Sequence, residues 1–135
     1  VAATLLTGFF LASLHGGTAR NALPREAAAV VAIPAEQASE LALCLKEWEA
    51  CLRRELAGVD DALTLNCSPV APVGQLLLPH EQAVWLASLH AAPHGVRRMG
   101  RQVPGVVETS NKLGMVALDA DGGSCNFRRT PWAVP

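Results

Sequence analysis

The stretch that decides the fold is GVVETSNKLGMVALDADGGSCNFRR, residues 105–129. Two segments within it, 105–118 and 124–129, have the character of strands, and the glycines of the intervening residues 119–123 suit a hairpin turn. Strands that are joined by a short hairpin turn run antiparallel. The sequence therefore predicts an antiparallel sheet that includes the last part of the chain.

Upstream of the hairpin, the same signals predict strands at residues 1–14, 27–33 and 62–67. Helices are predicted at residues 36–57 and 79–93, because apolar residues recur there at close to the helical period of about 3.6 residues. The apolar positions are Leu41, Cys44, Leu45, Trp48, Cys51, Leu52 and Leu56 in the first helix, and Ala83, Val84, Leu86, Ala87 and Leu89 in the second. This order of elements predicts an α+β fold, an antiparallel sheet with two helices packed on one face.

The composition favours a single domain over residues 1–135. Half of the residues are hydrophobic and 17% are charged, which excludes a disordered charged tail. The formal net charge is −1, so the chain has no strong positive field for binding nucleic acid or an anionic membrane. The chain begins with Val1 and its first charged residue is Arg20, so we expect a fragment of a longer protein.

The apolar run at residues 1–14 has the length of a signal-peptide core, but it has no basic leader. It is also shorter than the roughly 20 apolar residues that span a bilayer. We interpret it as a buried strand. The alternative is a secreted protein in which this run is the remnant of a signal peptide.

The four cysteines favour a reducing, cytoplasmic setting. They form no C-x-x-C pair, and a chain of 135 residues can build a core without disulfides. Cys44 and Cys51 are roughly 10 Å apart along the first predicted helix, too far for a disulfide. We expect both to be free thiols on a buried face, while two bridges to Cys67 and Cys125 remain an alternative.

Motifs for catalysis or metal binding are weak in this chain. His90 and His94 have the i, i+4 spacing of a metal-binding helix, but Pro93 lies between them and no third ligand accompanies them. The sequence also has no phosphate-binding glycine loop and no nucleophile beside an obvious base. We expect the basic residues at 97–101 to lie in a solvated loop, and we do not expect a complete enzyme.

Two stretches contain residue types that packing alone does not explain, HGGTARNALPRE at 15–26 and PGVVETSNKLG at 104–114. GGTARNALPREA is similar to the segment GGT-x-RN-(A/I)-(L/I)-PREA of the two-zinc dipeptidases that cleave Xaa-His dipeptides. This family includes aminoacyl-histidine dipeptidase, carnosinase and bacterial peptidase D. LHAAPHGV at 89–96 followed by GVVETSNKLG resembles a second segment of the same family, in the same order along the chain.

The resemblance implies a lid, or dimerisation, domain that is inserted in a metallopeptidase catalytic domain. The implied fold is ferredoxin-like, and the strand and helix with which the family's lid begins are missing here. The two zinc ions of the full-length parent would be bound by the catalytic domain of the same polypeptide, and none by this chain. The fragment alone is expected to be inactive, and the parent is expected to be a cytoplasmic homodimer.

The resemblance also implies substrate-binding residues. Arg129 matches the arginine that binds the carboxylate of the dipeptide, with Arg128 as the neighbouring alternative, and Asn21 matches an asparagine that donates to the substrate or its oxyanion. Supporting candidates are Thr109, Ser110 and Asn111. In the alternative interpretation neither residue binds substrate: Asn21 is a turn residue that stabilises its own backbone, and Arg129 is a charge on the strand surface. The alternative function is a free-standing, non-catalytic α+β module for dimerisation or interaction.

Overall fold

The structure is a computed structural model that describes the backbone of residues 8–119 and 121–131, and the side chains of these residues up to Asn126. In chain order the elements are β1 (Phe10–Gly16), β2 (Ala27–Ala32), a 3-10 turn (Ala35–Gln37), α1 (Ala38–Glu55), α2 (Pro79–Ala91), β3 (Gly95–Met99), β4 (Val107–Asp119) and β5 (Gly122–Pro131). Of the described residues, 10–31 and 75–131 form one compact unit, the sheet unit. Residues 8, 9 and 32–74 form a second, the helix unit.

β4 is the central strand of the sheet. Along one edge it pairs with β5 in antiparallel register, from Thr109 opposite Pro131 to Asp119 opposite Gly122. The other edge of β4 is shared between two strands, because β3 pairs with its first part and β1 pairs with its last part. β2 lies beside β1. The predicted α+β fold, an antiparallel sheet with two helices, is confirmed.

Most of the predicted elements are confirmed. β4 and β5 form the expected hairpin, β2 corresponds to the strand predicted at 27–33, and both predicted helices are present. Of the strand predicted at 1–14, residues 1–7 lie outside the described residues. The described part of that strand begins at Phe10 and continues to Gly16.

The strand predicted at 62–67 is wrong, because these residues have an irregular conformation. The backbone amide of Leu65 donates to Oε2 of Glu49 in α1 at 3.1 Å. A helix side chain thus satisfies a donor that would otherwise pair with a neighbouring strand. The alternation of ALTLNC was too short to specify pairing by itself.

The loop predicted for the basic residues at 97–101 is also wrong in part, because Gly95–Met99 is strand β3. Arg98 donates to Glu108 of β4, with a distance of 2.8 Å from Nε to Oε2 and 2.7 Å from Nη2 to Oε1. Backbone pairing and this cross-strand ion pair stabilise a strand that has little apolar alternation. Propensity alone does not reveal such a strand.

The core of the sheet unit is built on Leu11, Leu77 and Leu118, with Leu14, Val31 and Trp85 packed against them. The backbone amide of Leu77 donates to the carbonyl oxygen of Leu11 at 2.8 Å, and the amide of Leu11 donates to Oε1 of Gln82 at 2.6 Å. These bonds hold the start of α2 against β1. Trp85 is therefore the core-facing residue of α2.

The apolar face predicted for α2 is wrong, because Val84 and Leu86, which were expected on the buried side, are exposed. Glu81 Oε2 accepts from the amide of Leu78 at 3.2 Å, which satisfies one donor at the start of the helix. α2 is apolar on most of its circumference. Its sequence therefore does not determine which side packs against the sheet.

In the helix unit, the predicted apolar stripe of α1 is confirmed only in part, because no residue of this fully described helix is buried and Trp48 of the stripe is 52% exposed. Cys44 and Cys51 are half-buried rather than on a buried face. Glu49, which is half-buried, forms an ion pair with Arg53 at 3.1 Å along the helix. Gly58, which follows the helix, has a φ of 77°, as expected for a residue at a helix end.

All four cysteines are free, as predicted for Cys44 and Cys51. The alternative of two disulfides that involve Cys67 and Cys125 is wrong. Cys67 is exposed, whereas Cys125 lies on β5 opposite Val116. Burial raises the pKa of the Cys125 thiol, because a thiolate is less stable away from water.

The raised pKa predicts that Cys125 reacts with iodoacetamide more slowly at a given pH in the folded chain than in the unfolded chain. A thiol with a raised pKa holds a smaller fraction of reactive thiolate at any given pH near neutrality. Peptide mass spectrometry after timed alkylation across a pH series, with and without denaturant, measures this difference. Coinciding Cys125 profiles in the folded and unfolded chains would contradict the burial of Cys125.

Leu118 is fully buried near the end of β4, with 0% of its surface exposed. We expect Leu118→Ala to lower the free energy of unfolding by about 2–5 kcal/mol, because it leaves a cavity in the core. The matched control is Leu23→Ala, at a leucine that is 63% exposed, with an expected change of about 0.5 kcal/mol or less. Urea unfolding of both variants measures the difference, and equal losses would contradict this core.

Candidate functional site

The candidate site is a gap along one edge of β4. On this edge β3 pairs with residues 107–111 and β1 pairs with residues 116–118. Residues 112–115, which we call the edge gap, therefore have no strand partner on this edge among the described residues. On the opposite edge, a register shift between Leu113 and Met115 leaves Gly114 without a partner in β5. Such a bulge is typical of a glycine within a strand.

The loop that follows β1 fills part of the edge gap. Gly17 has a φ of 70°, and a Cβ added there would collide with the carbonyl oxygen of Gly114. A Cβ added at Gly114 would lie 2.8 Å from the carbonyl oxygen of Arg20. Each glycine thus allows the backbone of the loop to lie directly on β4. No other residue type fits at either position without a shift of the backbone.

Asn21 lies in this loop and is exposed, as a residue that contacts a ligand from another domain must be. The Lys112 amine donates to the backbone oxygen of Asn21 at 3.4 Å, a long hydrogen bond across the edge gap. Lys112 is half-buried, and no ion pair with a carboxylate is found for it in the described part of the chain. The side-chain amide of Asn21 makes no hydrogen bond within that part either.

His94 occupies the rest of the edge gap. The backbone amide of Leu113 donates to Nδ1 of His94 at 3.3 Å, so the imidazole takes the place of a strand carbonyl. His90 lies in α2, which ends at Ala91, so the two histidines do not share a helix face. The role of His94 is thus to cap the edge of β4.

The supporting candidates lie in the first half of β4. In the β4–β5 register Thr109 is opposite Pro131, Ser110 opposite Thr130 and Asn111 opposite Arg129. All three are half-buried. Oδ1 of Asn111 is buried, and within the described residues it accepts no hydrogen bond. A buried acceptor of this kind is costly unless a donor reaches it.

The two candidate arginines lie on β5. The register places Arg129 opposite Asn111 and Arg128 opposite Lys112, so both are adjacent to the edge gap across the strand. Their side chains lie outside the described part of the structure. Arg128 is therefore opposite the first residue of the edge gap, and Arg129 is opposite the residue that precedes the gap.

A cavity of about 260 Å³ lies elsewhere in the sheet unit, beside the β4–β5 turn. It is lined by Leu77, His80, Glu81, Val84, Trp85, Leu118, Asp119, Asp121 and Gly122. Near it, Nε2 of His15 and Oδ1 of Asp119 form an exposed contact of 3.1 Å. The predicted site residues whose side chains are described, Asn21 and Thr109 to Asn111, do not line this cavity.

Among the described residues, no three His, Cys, Asp or Glu side chains come together in a way that could hold a metal ion. These residues therefore do not fit the two zinc ions that the resemblance implies for the parent. No helix in the described part is long and apolar enough to cross a membrane.

Comparison with known proteins connects this geometry to a family. Residues 5–60 match a family model described as a peptidase dimerisation domain. A cytosol non-specific dipeptidase of Escherichia coli strain K12 is 35% identical over 108 residues, which are 80% of this chain and 22% of that protein. The crystal structure of aminoacylhistidine dipeptidase from Vibrio alginolyticus matches with a TM-score of 0.85 and 34% identity, over 88% of this chain and 24% of that one.

The chain is therefore similar to a peptidase dimerisation domain over residues 5–60, and to two dipeptidases over most of its length. The resemblance inferred from GGTARNALPREA and GVVETSNKLG is thereby confirmed. The domain spans less than a quarter of the length of the two relatives that it matches.

Several residues of the site were not singled out from the sequence. Lys112, Gly17 and Gly114 lie within the quoted motifs, and His94 was considered only as a metal ligand. The one local signal was Gly114, because a glycine inside a strand pattern often marks a bulge or a close backbone approach. Nothing in the sequence indicated that Gly17 would be its partner.

Proposed function

We propose that this dimerisation domain is the lid of a zinc-dependent, cytoplasmic Xaa-His dipeptidase. It helps to bind the C-terminal carboxylate of the dipeptide and closes the active site of a catalytic domain in the same polypeptide. The observation that carries the proposal is the meeting of three motif segments, GGTARN, APHGV and SNKLG, at the edge gap. The names of the two relatives, both dipeptidases, and the free cysteines support it.

Recognition of a dipeptide requires a group that reads its terminal carboxylate. An arginine does this with two parallel hydrogen bonds, which also exclude a longer peptide. In this proposal Arg129 is the carboxylate-binding residue and Arg128 its alternative, while the register places both beside the edge gap. Thr109 to Asn111 of β4 support this part of the site.

Asn21 has the second role. Its amide donates a hydrogen bond to the substrate or to the oxyanion that forms during hydrolysis, and such a donor lowers the barrier when it is held in place before the reaction. The exposed position of Asn21 leaves it accessible to a substrate held by another domain. The zinc ions belong to the catalytic domain in this proposal, and recognition is the task of the chain described here.

Asn21→Ala and Arg129→Ala, made separately in the full-length dipeptidase, are expected to lower kcat/KM on an Xaa-His dipeptide about 30-fold to 1,000-fold. Each removes a charge-assisted or oxyanion contact from a desolvated site. Steady-state kinetics measure the change.

The control for these variants is Arg54→Ala, at an exposed arginine of α1, with kcat/KM expected to remain that of the wild type. Unchanged kcat/KM in both Asn21→Ala and Arg129→Ala would contradict the proposed role in substrate binding. A loss in Arg128→Ala but not in Arg129→Ala would assign the carboxylate to the neighbouring arginine.

A homodimer is the second part of the proposal, with α1 in the contact between two copies. Helix α1 lies within the segment that matches the peptidase dimerisation family. It carries two large apolar side chains that are more than half exposed, Leu43 at 60% and Trp48 at 52%. Exposed tryptophan and leucine on one helix are typical of a protein interface, and tryptophans are frequent energetic hot spots.

Leu43→Ser combined with Trp48→Ser is expected to raise the dimer dissociation constant at least about 30-fold, since hot-spot residues contribute about 2 kcal/mol or more. Sedimentation equilibrium of the full-length dipeptidase measures this. The control is Val84→Ser, at an exposed valine of α2 outside the matched segment. A dimer that resists the double substitution, or one that Val84→Ser weakens equally, would refute the assignment to α1.

A further inference from the structure

We infer that Gly17, Gly114 and Lys112 are positioning residues that hold Asn21 in place for the dipeptidase reaction. This inference rests on the proposed function, because it concerns how the same site is kept in its working geometry. None of the three needs to touch the substrate. They act on the backbone of the loop that carries Asn21.

The loop is anchored first at its base. The amide of Gly17 donates to the carbonyl oxygen of Glu26 at 3.1 Å, which ties together the two ends of residues 17–26. Within the loop, the amide of Ala22 donates to the oxygen of Ala19 at 3.3 Å and closes a turn around Asn21. The loop is therefore a closed unit of ten residues, and its orientation is set by what it rests on.

The second anchor is the contact between the two glycines. Gly114 is buried at the bulge of β4, and the oxygen of Arg20, the residue before Asn21, lies only 2.8 Å from the position that a Cβ of residue 114 would take. The positive φ of Gly17 turns the chain onto the oxygen of Gly114. A side chain at either position would lift the turn that contains Asn21 away from β4.

The third anchor is the ammonium group of Lys112, which reaches the backbone oxygen of Asn21 itself. This hydrogen bond is long, at 3.4 Å from Nζ to the oxygen. Its acceptor nevertheless belongs to Asn21, the residue whose side-chain amide is proposed to bind the substrate. Lys112 is the only one of the three whose side chain makes the contact, so it can be changed without adding bulk. It provides the mildest test of the inference.

Positioning matters because a catalytic hydrogen bond depends strongly on distance. A displacement of about 1 Å can lower a rate about 100-fold. We therefore expect Lys112→Met to lower kcat/KM about 10-fold to 100-fold in the full-length dipeptidase. Lys112→Arg, which keeps a donor, should retain most of the activity. Gly114→Ala should lower kcat/KM at least as much as Lys112→Met does.

A double-mutant cycle with Asn21→Ala separates positioning from other effects. If Lys112 acts through Asn21, Lys112→Met has no further effect in the Asn21→Ala background, and it changes kcat and KM in the same proportion as Asn21→Ala does. Matched controls are Arg101→Met, at an exposed basic residue outside α1, and Gly58→Ala, where φ is 77° and an added Cβ has open space. Both controls should keep wild-type kcat/KM.

The outcomes distinguish the inference from the function on which it rests. No effect of Asn21→Ala would refute the proposed function. A strong effect of Asn21→Ala with wild-type activity in Lys112→Met, or with additive losses in the double variant, would refute the positioning role alone. If Gly114→Ala fails to fold, which its melting temperature reports, the Lys112 cycle still decides the question.

Discussion

The close approach of Gly17 to Gly114 is the contact on which the rest of the sheet unit's site depends. β4 is paired along one edge by β5, but on its other edge β3 and β1 leave four residues without a strand partner in the described part of the chain. Unpaired backbone groups in the middle of a sheet are unfavourable unless something else satisfies them. A loop that lies on a glycine and a histidine that accepts the amide of Leu113 fulfil this requirement.

The same arrangement accounts for the proposed division of labour in the dipeptidase. Because the edge gap is filled by a loop rather than by a strand, an exposed asparagine lies beside the centre of a rigid sheet. The hairpin strand on the opposite edge carries the two candidate arginines, Arg128 opposite Lys112 and Arg129 opposite Asn111. Groups on rigid elements are held more accurately than groups on free loops. In the proposed function, the domain supplies recognition to chemistry that takes place in the catalytic domain.

Local features of the fold could be predicted from the sequence, and non-local ones could not. The glycine-rich turn indicated the β4–β5 hairpin, and the spacing from Leu41 to Leu56 indicated α1. The edge gap depends on pairings such as Gly16 with Val116, which no local pattern encodes. The prediction of a strand at 62–67 is wrong for the same reason, because an alternating pattern does not show whether another strand is available to pair with it. The family motifs indicated Asn21 as a candidate, but not the lysine and glycines that contact the backbone of its loop.

The most direct test is a crystal structure of the full-length dipeptidase with a non-hydrolysable Xaa-His dipeptide analogue. The account predicts that the Asn21 amide and the Arg129 guanidinium each lie within about 3.2 Å of the ligand, with the loop still resting on Gly114. A closed structure in which the ligand contacts only the catalytic domain, and Asn21 faces solvent, would contradict it.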